Sequence, residues 1–189
     1  MKFDSKIYVA GNTGLVGSAI VRELKSQGYN NIVSSPRSHF DLRKQYDVER
    51  FFNLNQPEYV FLAAAKVGGI GHNKNYPADF IRDNLNIQTN IIEYAYKYGC
   101  KKLLFLGSAC IYPKMAPVPI KEEYLMTGPL EETNIAYSLS KLAGHVMCKK
   151  YTEQYGMSTI SVMPNNLYGI NDNFNVDHCH VLPCFINKF

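Results

Sequence analysis

A chain of 189 residues that is 46% hydrophobic and 19% charged can fill one sizeable core and is too apolar for a disordered protein. The formal net charge of +4 comes from scattered basic residues without a long basic run, so nucleic acid is not an expected partner, although nucleotide phosphates are compatible. No stretch approaches membrane-spanning length and the N-terminal apolar run is too short for a signal peptide, so no membrane partner is expected and the compartment is expected to be cytoplasmic.

Residues 6–10 read as a strand that enters a turn holding Gly11, Gly14 and Gly17, with Val16, Ile20, Val21 and Leu24 following at helical spacing. In a dinucleotide-binding fold Gly11 permits the tight turn and Gly14 lets backbone approach a phosphate. Gly17 lets helix pack on strand, and the helix N-terminus faces the anion. The spacing is G-x-x-G-x-x-G rather than the commoner G-x-G-x-x-G, and three glycines also serve a simple tight turn. Gly28 stops the helix, and Ile32-Val33 form the core of a second strand that runs into Ser34-Ser35-Pro36-Arg37. An acidic residue here would bind the ribose hydroxyls and repel a 2′-phosphate. The position is not acidic, and Arg37 is either a partner for that phosphate, favouring NADP over NAD, or a solvated loop arginine. Asp41-Leu42 lies where a side chain could reach the adenine amino group.

Residues 46–54 are helical by pattern, Pro57 ends the helix, and 59–62 form a third strand. The stretch 66–72 is expected to be a flexible loop beyond the strand's carboxyl end, the edge where open α/β sheets bind ligands. Pro77 opens a long helix that closes near Gly99, and 102–106 form a fourth strand leading into Gly107-Ser108-Ala109-Cys110. A helix from about 135 to 155, a fifth strand at 159–163 and a helix-like segment at 181–189 complete the chain. Strands alternating with helices predict an α/β fold: a Rossmann-like, doubly wound parallel sheet with helices on both faces.

Tyr137 and Lys141 stand four residues apart in a helix and so share one face. A neighbouring ammonium is expected to lower the phenol pKa, so that the hydroxyl exchanges a proton with a carbonyl or alcohol oxygen near neutral pH. The same lysine can donate to a nicotinamide ribose, and Ser108 can supply a second hydrogen bond to the reacting oxygen. Taken alone, the pair is equally a packed tyrosine beside a solvated lysine. The five cysteines form no CxxC pair and are odd in number, which predicts reduced thiols. His178, Cys179, His180 and Cys184 lack a standard zinc spacing, so no metal site is expected.

These motifs together resemble the extended short-chain dehydrogenase/reductase family of nucleotide-sugar epimerases and dehydratases, and within it the GDP-L-fucose synthase group. The resemblance rests on residues 9–20, 64–70, 76–81, 104–108 and 110–114, on Ala136-Tyr137 with Lys141-Leu142-Ala143-Gly144, on Asn166-Leu167-Tyr168-Gly169 and 172–174, and on His180-Val181-Leu182-Pro183. It implies NADPH-dependent 3,5-epimerisation and 4-reduction of a GDP-4-keto-6-deoxy-D-mannose substrate. Cys110 matches the family's base and His180 its acid, and Tyr137 protonates the new alkoxide with Lys141 and Ser108 beside it. Read without the resemblance, Cys110 is a buried inert thiol and His180 a surface histidine.

The positions that would meet NADP are Gly11, Asn12, Thr13, Gly14, Leu15, Val16, Gly17, Arg37, Asp41, Leu42, Leu106, Gly107, Ser108, Ala109, Lys141, Pro164, Asn165, Asn166, Leu167 and His180. Lys188 falls where the family places a basic residue for the substrate diphosphate, and Thr13 stands where some members have an arginine beside the NADP phosphate. The resemblance also implies a homodimer through the helices at 77–98 and 137–155. Relative to the family the chain reads as C-terminally truncated: 1–189 as the NAD(P)-binding domain, 165–189 as the start of an incomplete substrate-binding lobe, with exposed apolar surface where the remainder docks. Two other readings remain: a related epimerase or dehydratase for another nucleotide sugar, and a dinucleotide-binding fragment without turnover.

Overall fold

The structure is a computed structural model that describes residues 1–175 and 179–189. Five short strands, β1 (Ile7–Ala10), β2 (Ile32–Val33), β3 (Tyr59–Leu62), β4 (Lys102–Leu106) and β5 (Thr159–Val162), form one sheet in the order β2-β1-β3-β4-β5. Every pairing is parallel, with Tyr8 opposite Val60, Val60 opposite Leu103, and Phe61 opposite Leu104. The order reverses at β1, so the carboxyl ends of β1 and β3 open the crevice where such sheets bind ligands.

Strand alternation sorts the core into two layers. Tyr8, Ala10, Val60, Leu62, Leu103 and Phe105 point to one side and meet α2 (Gln45–Asn55), α4 (Pro77–Lys97) and α5 (Ile135–Tyr155) through Phe51, Phe52, Ile91, Ile92 and Cys148. Ile7, Val9, Tyr59 and Phe61 point to the other side, where α1 (Leu15–Ser26) covers them with Ile20, Val21 and Leu24. The cover is uneven. On the α1 side Leu104, Leu106 and Val162 are half-buried and Ile160 is exposed, and an apolar groove lined by Val16, Ala19, Ile20, Leu24 and Phe61 runs beside them. Parallel sheets are ordinarily covered on both faces.

The expected elements are present with small shifts, and two expectations are corrected. The stretch 66–72 is only partly loop: α3 (Ile70–Asn75) starts inside it, because the Asn73 amide donates back to the carbonyls of Gly68 and Gly69 at 2.8 and 3.2 Å and closes a first turn. The cysteines are not all reduced thiols, since Cys179 and Cys184 form a disulfide. The first turn of α6 (Val181–Lys188) brings them together, with the Cys184 N–H donating to the His180 carbonyl and Cα atoms 5.6 Å apart. His178, part of the cluster weighed as a metal site, lies outside the described residues; among those described, no group of three or more His, Cys, Asp or Glu could hold a metal ion.

Helix α5 sits unusually close to the sheet at Gly144, where a Cβ would stand 2.4 Å from the Phe105 ring and 2.8 Å from Gln88 Oε1. Neither neighbour can yield: Phe105 is fully buried, and Gln88 is buried with its Nε2 donating to the Ser140 carbonyl at 2.6 Å. Gly144→Ala is therefore expected to destabilise the fold by about 1–3 kcal/mol despite the better helix propensity of alanine. A urea midpoint equal to or above that of the unchanged protein would contradict this packing.

Candidate active site

The site begins with the glycine turn. Gly11 takes φ +84°, and a Cβ there would lie 2.8 Å from the Ala64 amide nitrogen, so β1 and the end of β3 touch backbone to backbone. A Cβ on Gly17 would lie 2.1 Å from the Gly11 carbonyl oxygen, which makes glycine obligatory where α1 leaves the strand. Gly14 differs: its nearest neighbour would be 3.6 Å away, leaving room on the open side. It is the N-cap of α1, with no capping side chain and no acidic residue in the first turn. Unclaimed amides at a helix N-terminus, approachable along a glycine backbone, fit a dinucleotide diphosphate.

Around this turn the loops are tied down. Ser35 at the exit of β2 is buried and shares a 2.7 Å hydrogen bond with Tyr8, which leaves Arg37, two residues on, exposed at the rim. Asp41 is occupied by Arg43, whose Nε and Nη2 donate at 2.9 and 2.8 Å, and this pairing holds its carboxyl below the usual range. Leu42 packs against the core. Arg43 and Lys66 each lie 3.5 Å from Asp83, a buried carboxylate also bonded by Arg82. Asn84, buried beside it, accepts from the Lys66 N–H at 2.7 Å and donates to the Lys66 carbonyl at 3.0 Å, clamping the backbone after β3.

Past β5, the Ala109 N–H donates to the Pro164 carbonyl at 3.1 Å, and Asn171 donates to Ser18 on α1 at 3.0 Å. The segment holding Asn165, Asn166 and Leu167 is thereby fastened at both ends over the start of α1.

The chemistry-bearing groups meet where β4 ends and α5 begins. Lys141 is 4% exposed; its Nζ donates to the Leu106 carbonyl at 2.7 Å and lies over the rings of Phe105 and Tyr137 at 5.1 and 6.0 Å. Burial pushes its ammonium down to about 8. Tyr137 is hydrogen-bonded to the Ser108 side chain. Its phenol is pushed up to about 12, first by burial and in smaller part by the charge of nearby Cys110. The expectation that Lys141 lowers the phenol is thus corrected: loss of water dominates, and the opposing influence is the Ser108 side chain. Ser108 also accepts from the Cys110 N–H at 3.2 Å, and the Cys110 sulfur accepts from Asn134 Nδ2 at 3.4 Å. A cleft of about 380 Å³ opens between α3 and the start of α5, lined by Asn73, Lys74 and Pro77 on one wall and Asn134, Ile135 and Ala136 on the other, and Asn134 links it to Cys110.

The structure thus joins Ser108, Cys110, Tyr137 and Lys141 with Gly107 and Ala109 on one short loop and one helix face. His180 and Lys188 stand apart, exposed on α6 as its N-cap and its last residue. The segment leading into α6 lies against the loop after β3, since a Cβ on Gly69 would fall 2.8 Å from the Cys179 carbonyl. Asn84, Asn134 and Ser138 were not singled out from the sequence. For Asn134 a signal existed: a cap-forming residue three positions before Tyr137, at the start of the helix.

Residues 7–189 match the family described as the NAD dependent epimerase/dehydratase family. The chain belongs to this family. Among its relatives, "Putative GDP-L-fucose synthase 2" of Arabidopsis thaliana is 58% identical over 185 residues, covering 98% of this chain and 56% of that protein. The chain therefore spans little more than half the length of that relative. Among solved structures, a GDP-6-OMe-4-keto-L-xylo-heptose reductase from C. jejuni superposes with a TM-score of 0.96 at 43% identity, over all of this chain and 54% of the other. A GDP-L-fucose synthetase from Naegleria fowleri bound to NADP superposes with a TM-score of 0.91 at 34% identity, over all of this chain and 62% of the other.

Burial of the Lys141 charge leads to a stability prediction. The native state releases that proton near pH 8 and the unfolded chain near 10.5, so the cost is fully present below pH 8 and fades as pH rises to 10.5. Lys141→Met is expected to be more stable at pH 7 by about 3 kcal/mol at most, with the gap closing between pH 8 and 10.5. A difference in unfolding free energy that is constant from pH 7 to about 10.5 would contradict the buried-ammonium account.

Proposed function

We propose that this chain is the NADP-binding domain, with the start of the sugar-binding lobe at 165–189, of an enzyme that epimerises and reduces GDP-4-keto-6-deoxy-D-mannose to GDP-L-fucose. The observation that carries the proposal is the convergence of Tyr137, Lys141, Ser108 and Cys110 at the carboxyl end of β4, beside the glycine turn. The names of the relatives point to the same activity and the same cofactor.

Turn and rim fit the cofactor. The α1 N-terminus and Gly14 take the diphosphate, Arg37 reaches the 2′-phosphate, and Lys141 donates to the nicotinamide ribose. NADPH, when bound, supplies the hydride for carbon 4. The remaining work belongs to the protein. The 4-keto group acidifies the protons at carbons 3 and 5; at each carbon the Cys110 thiolate takes the proton, leaving its electron pair in the enolate, and His180 returns a proton to the opposite face, the thiol giving its proton to solvent and His180 taking one from solvent between the two exchanges. Tyr137 then gives its hydroxyl proton to the alkoxide at carbon 4. A phenol held up near 12 stays protonated at neutral pH, the form that this donation needs. In this reading His180 on α6 serves the sugar and Lys188 its diphosphate. The working unit is a cytoplasmic homodimer paired through the outer faces of α4 and α5.

The second reading, reduction of a different GDP-keto sugar, is favoured by the superposition on the heptose reductase. Reduction alone needs Tyr137 and Lys141. A base and an acid in addition, at Cys110 and His180, favour epimerisation followed by reduction.

Two substitutions test the cofactor and the proton donor. Tyr137→Phe is expected to lower NADPH oxidation with GDP-4-keto-6-deoxy-D-mannose by roughly 10²–10⁴-fold while NADPH still binds. Arg37→Ala is expected to weaken NADPH about 10–100-fold and to leave NADH unchanged, the loss set by charge-assisted hydrogen bonds to one phosphate. Both are read by fluorescence titration and turnover on protein that includes any continuation of the chain. Retained turnover in Tyr137→Phe, or an equal effect of Arg37→Ala on the two cofactors, would contradict the assignment.

A further inference from the structure

Asn134 occupies the N-cap of α5, where asparagine ordinarily turns its side-chain oxygen onto the helix's own leading amides. It makes no such bond. Its Oδ1 instead accepts from the hydroxyl of Ser138, one turn into the helix and fully buried, at 3.0 Å. That contact decides the orientation of the amide, because a Ser138 hydroxyl donating to Oδ1 leaves Nδ2 facing the Cys110 sulfur, 3.4 Å away. Asn134, Tyr137, Ser138 and Lys141 fall at spacings of three, four and seven residues, so one helix face carries both the proton donor of the reduction and the amide that faces the thiol. A tight helical turn (Glu132–Asn134), capped by the Glu131 side chain, leads straight into α5, and the Asn134 side chain is directed to Ser138 and Cys110 instead.

From this geometry we infer that Asn134 is the positioning residue of Cys110. Its side-chain N–H donates to the sulfur and holds it in place at the start of α5, while Ser138 locks the amide against rotation. The inference rests on the proposed role of Cys110 as base. It assigns to Asn134 no proton of its own: the proton leaving the sugar goes to sulfur, and the Asn134 N–H stays on nitrogen throughout.

The test separates donation from helix capping. Asn134→Asp keeps an acceptor for Ser138 but replaces the donor with a like charge, and Asn134→Ser keeps a small polar side chain while losing the reach to sulfur. Cys110 alkylation by iodoacetamide at neutral pH is followed by mass spectrometry of its peptide, which separates it from buried Cys100 and Cys148 and from the Cys179–Cys184 disulfide. Thermal unfolding and thiolate ultraviolet absorbance are recorded alongside. Asn134→Asp is expected to slow alkylation about tenfold and Asn134→Ser about threefold, both with reduced thiolate absorbance and with Asn134→Ser still folded at the assay temperature. Should Asn134→Asp fail to fold, Asn134→Ser decides. Alkylation within twofold of the unchanged protein in the folded variant overturns the role of Asn134 and leaves Cys110 as base untouched. Conversely, solvent deuterium still entering carbons 3 and 5 in Cys110→Ser retires the base, and its positioning residue with it.

Discussion

The close seating of α5 on β4 governs the rest of the site. Because Gly144 has no side chain, the helix approaches until Phe105 and Gln88 fill the space, and the Gln88–Ser140 bond ties it to α4. That approach is what lets the Lys141 ammonium reach the Leu106 carbonyl at 2.7 Å across the layer. One turn earlier on the same helix it sets Tyr137 against Ser108, and at the helix start it sets Asn134 against Cys110. A helix held a methyl group further out would separate all three contacts at once, since they share one rigid element. The glycine turn does the same for the other half of the site by letting β1, β3 and α1 meet at backbone distance.

Burial that makes these contacts also sets their chemistry. Lys141 remains in the low-dielectric layer with one carbonyl and two aromatic rings around it, a costly position for an ammonium and a poised one for a hydrogen bond to a ribose. Tyr137 shares that environment and keeps its proton. The proposed proton-donating arrangement therefore arises from packing, with the Tyr137–Lys141 spacing deciding only that both groups arrive together. The carboxylate of Asp83 is the counterpart outside the reaction centre. It is buried, but Arg82, Lys66 and Arg43 surround it and keep it ionised, fixing the loop after β3 to α4 and to the exit of β2.

Much of this was legible in the sequence because it depends on local pattern. Short apolar runs bounded by glycine and proline marked the five strands, and periodicity marked α1, α2, α4 and α5 within a residue or two. The placement of Tyr137 and Lys141 on one face followed from a four-residue spacing. What was not legible depends on the path of chain between elements. The Asn134–Cys110 contact spans an irregular segment from 112 to 131 whose course no periodicity reveals. The Cys179–Cys184 bridge needs the first turn of α6, and the direction of the Tyr137 shift needs its burial, which pair spacing does not contain. The pairing of Asp41 with Arg43 depends on a loop geometry that only the structure supplies. The half-covered face of β4 and β5 is likewise a property of the layer as a whole rather than of any strand.

We propose that one site performs proton exchange through the Cys110 sulfur and hydride-linked proton donation through the Tyr137 phenol. A double-label turnover tests it most directly: NADPH carrying deuterium on its transferable hydrogen in ordinary water, and ordinary NADPH in deuterated water, each with GDP-4-keto-6-deoxy-D-mannose and protein that includes any continuation of the chain. The account predicts cofactor deuterium at carbon 4 alone and solvent deuterium at carbons 3 and 5, with the solvent label lost in Cys110→Ser. Cofactor label at carbon 4 without solvent label at carbons 3 and 5 would contradict it and reduce the protein to a ketoreductase.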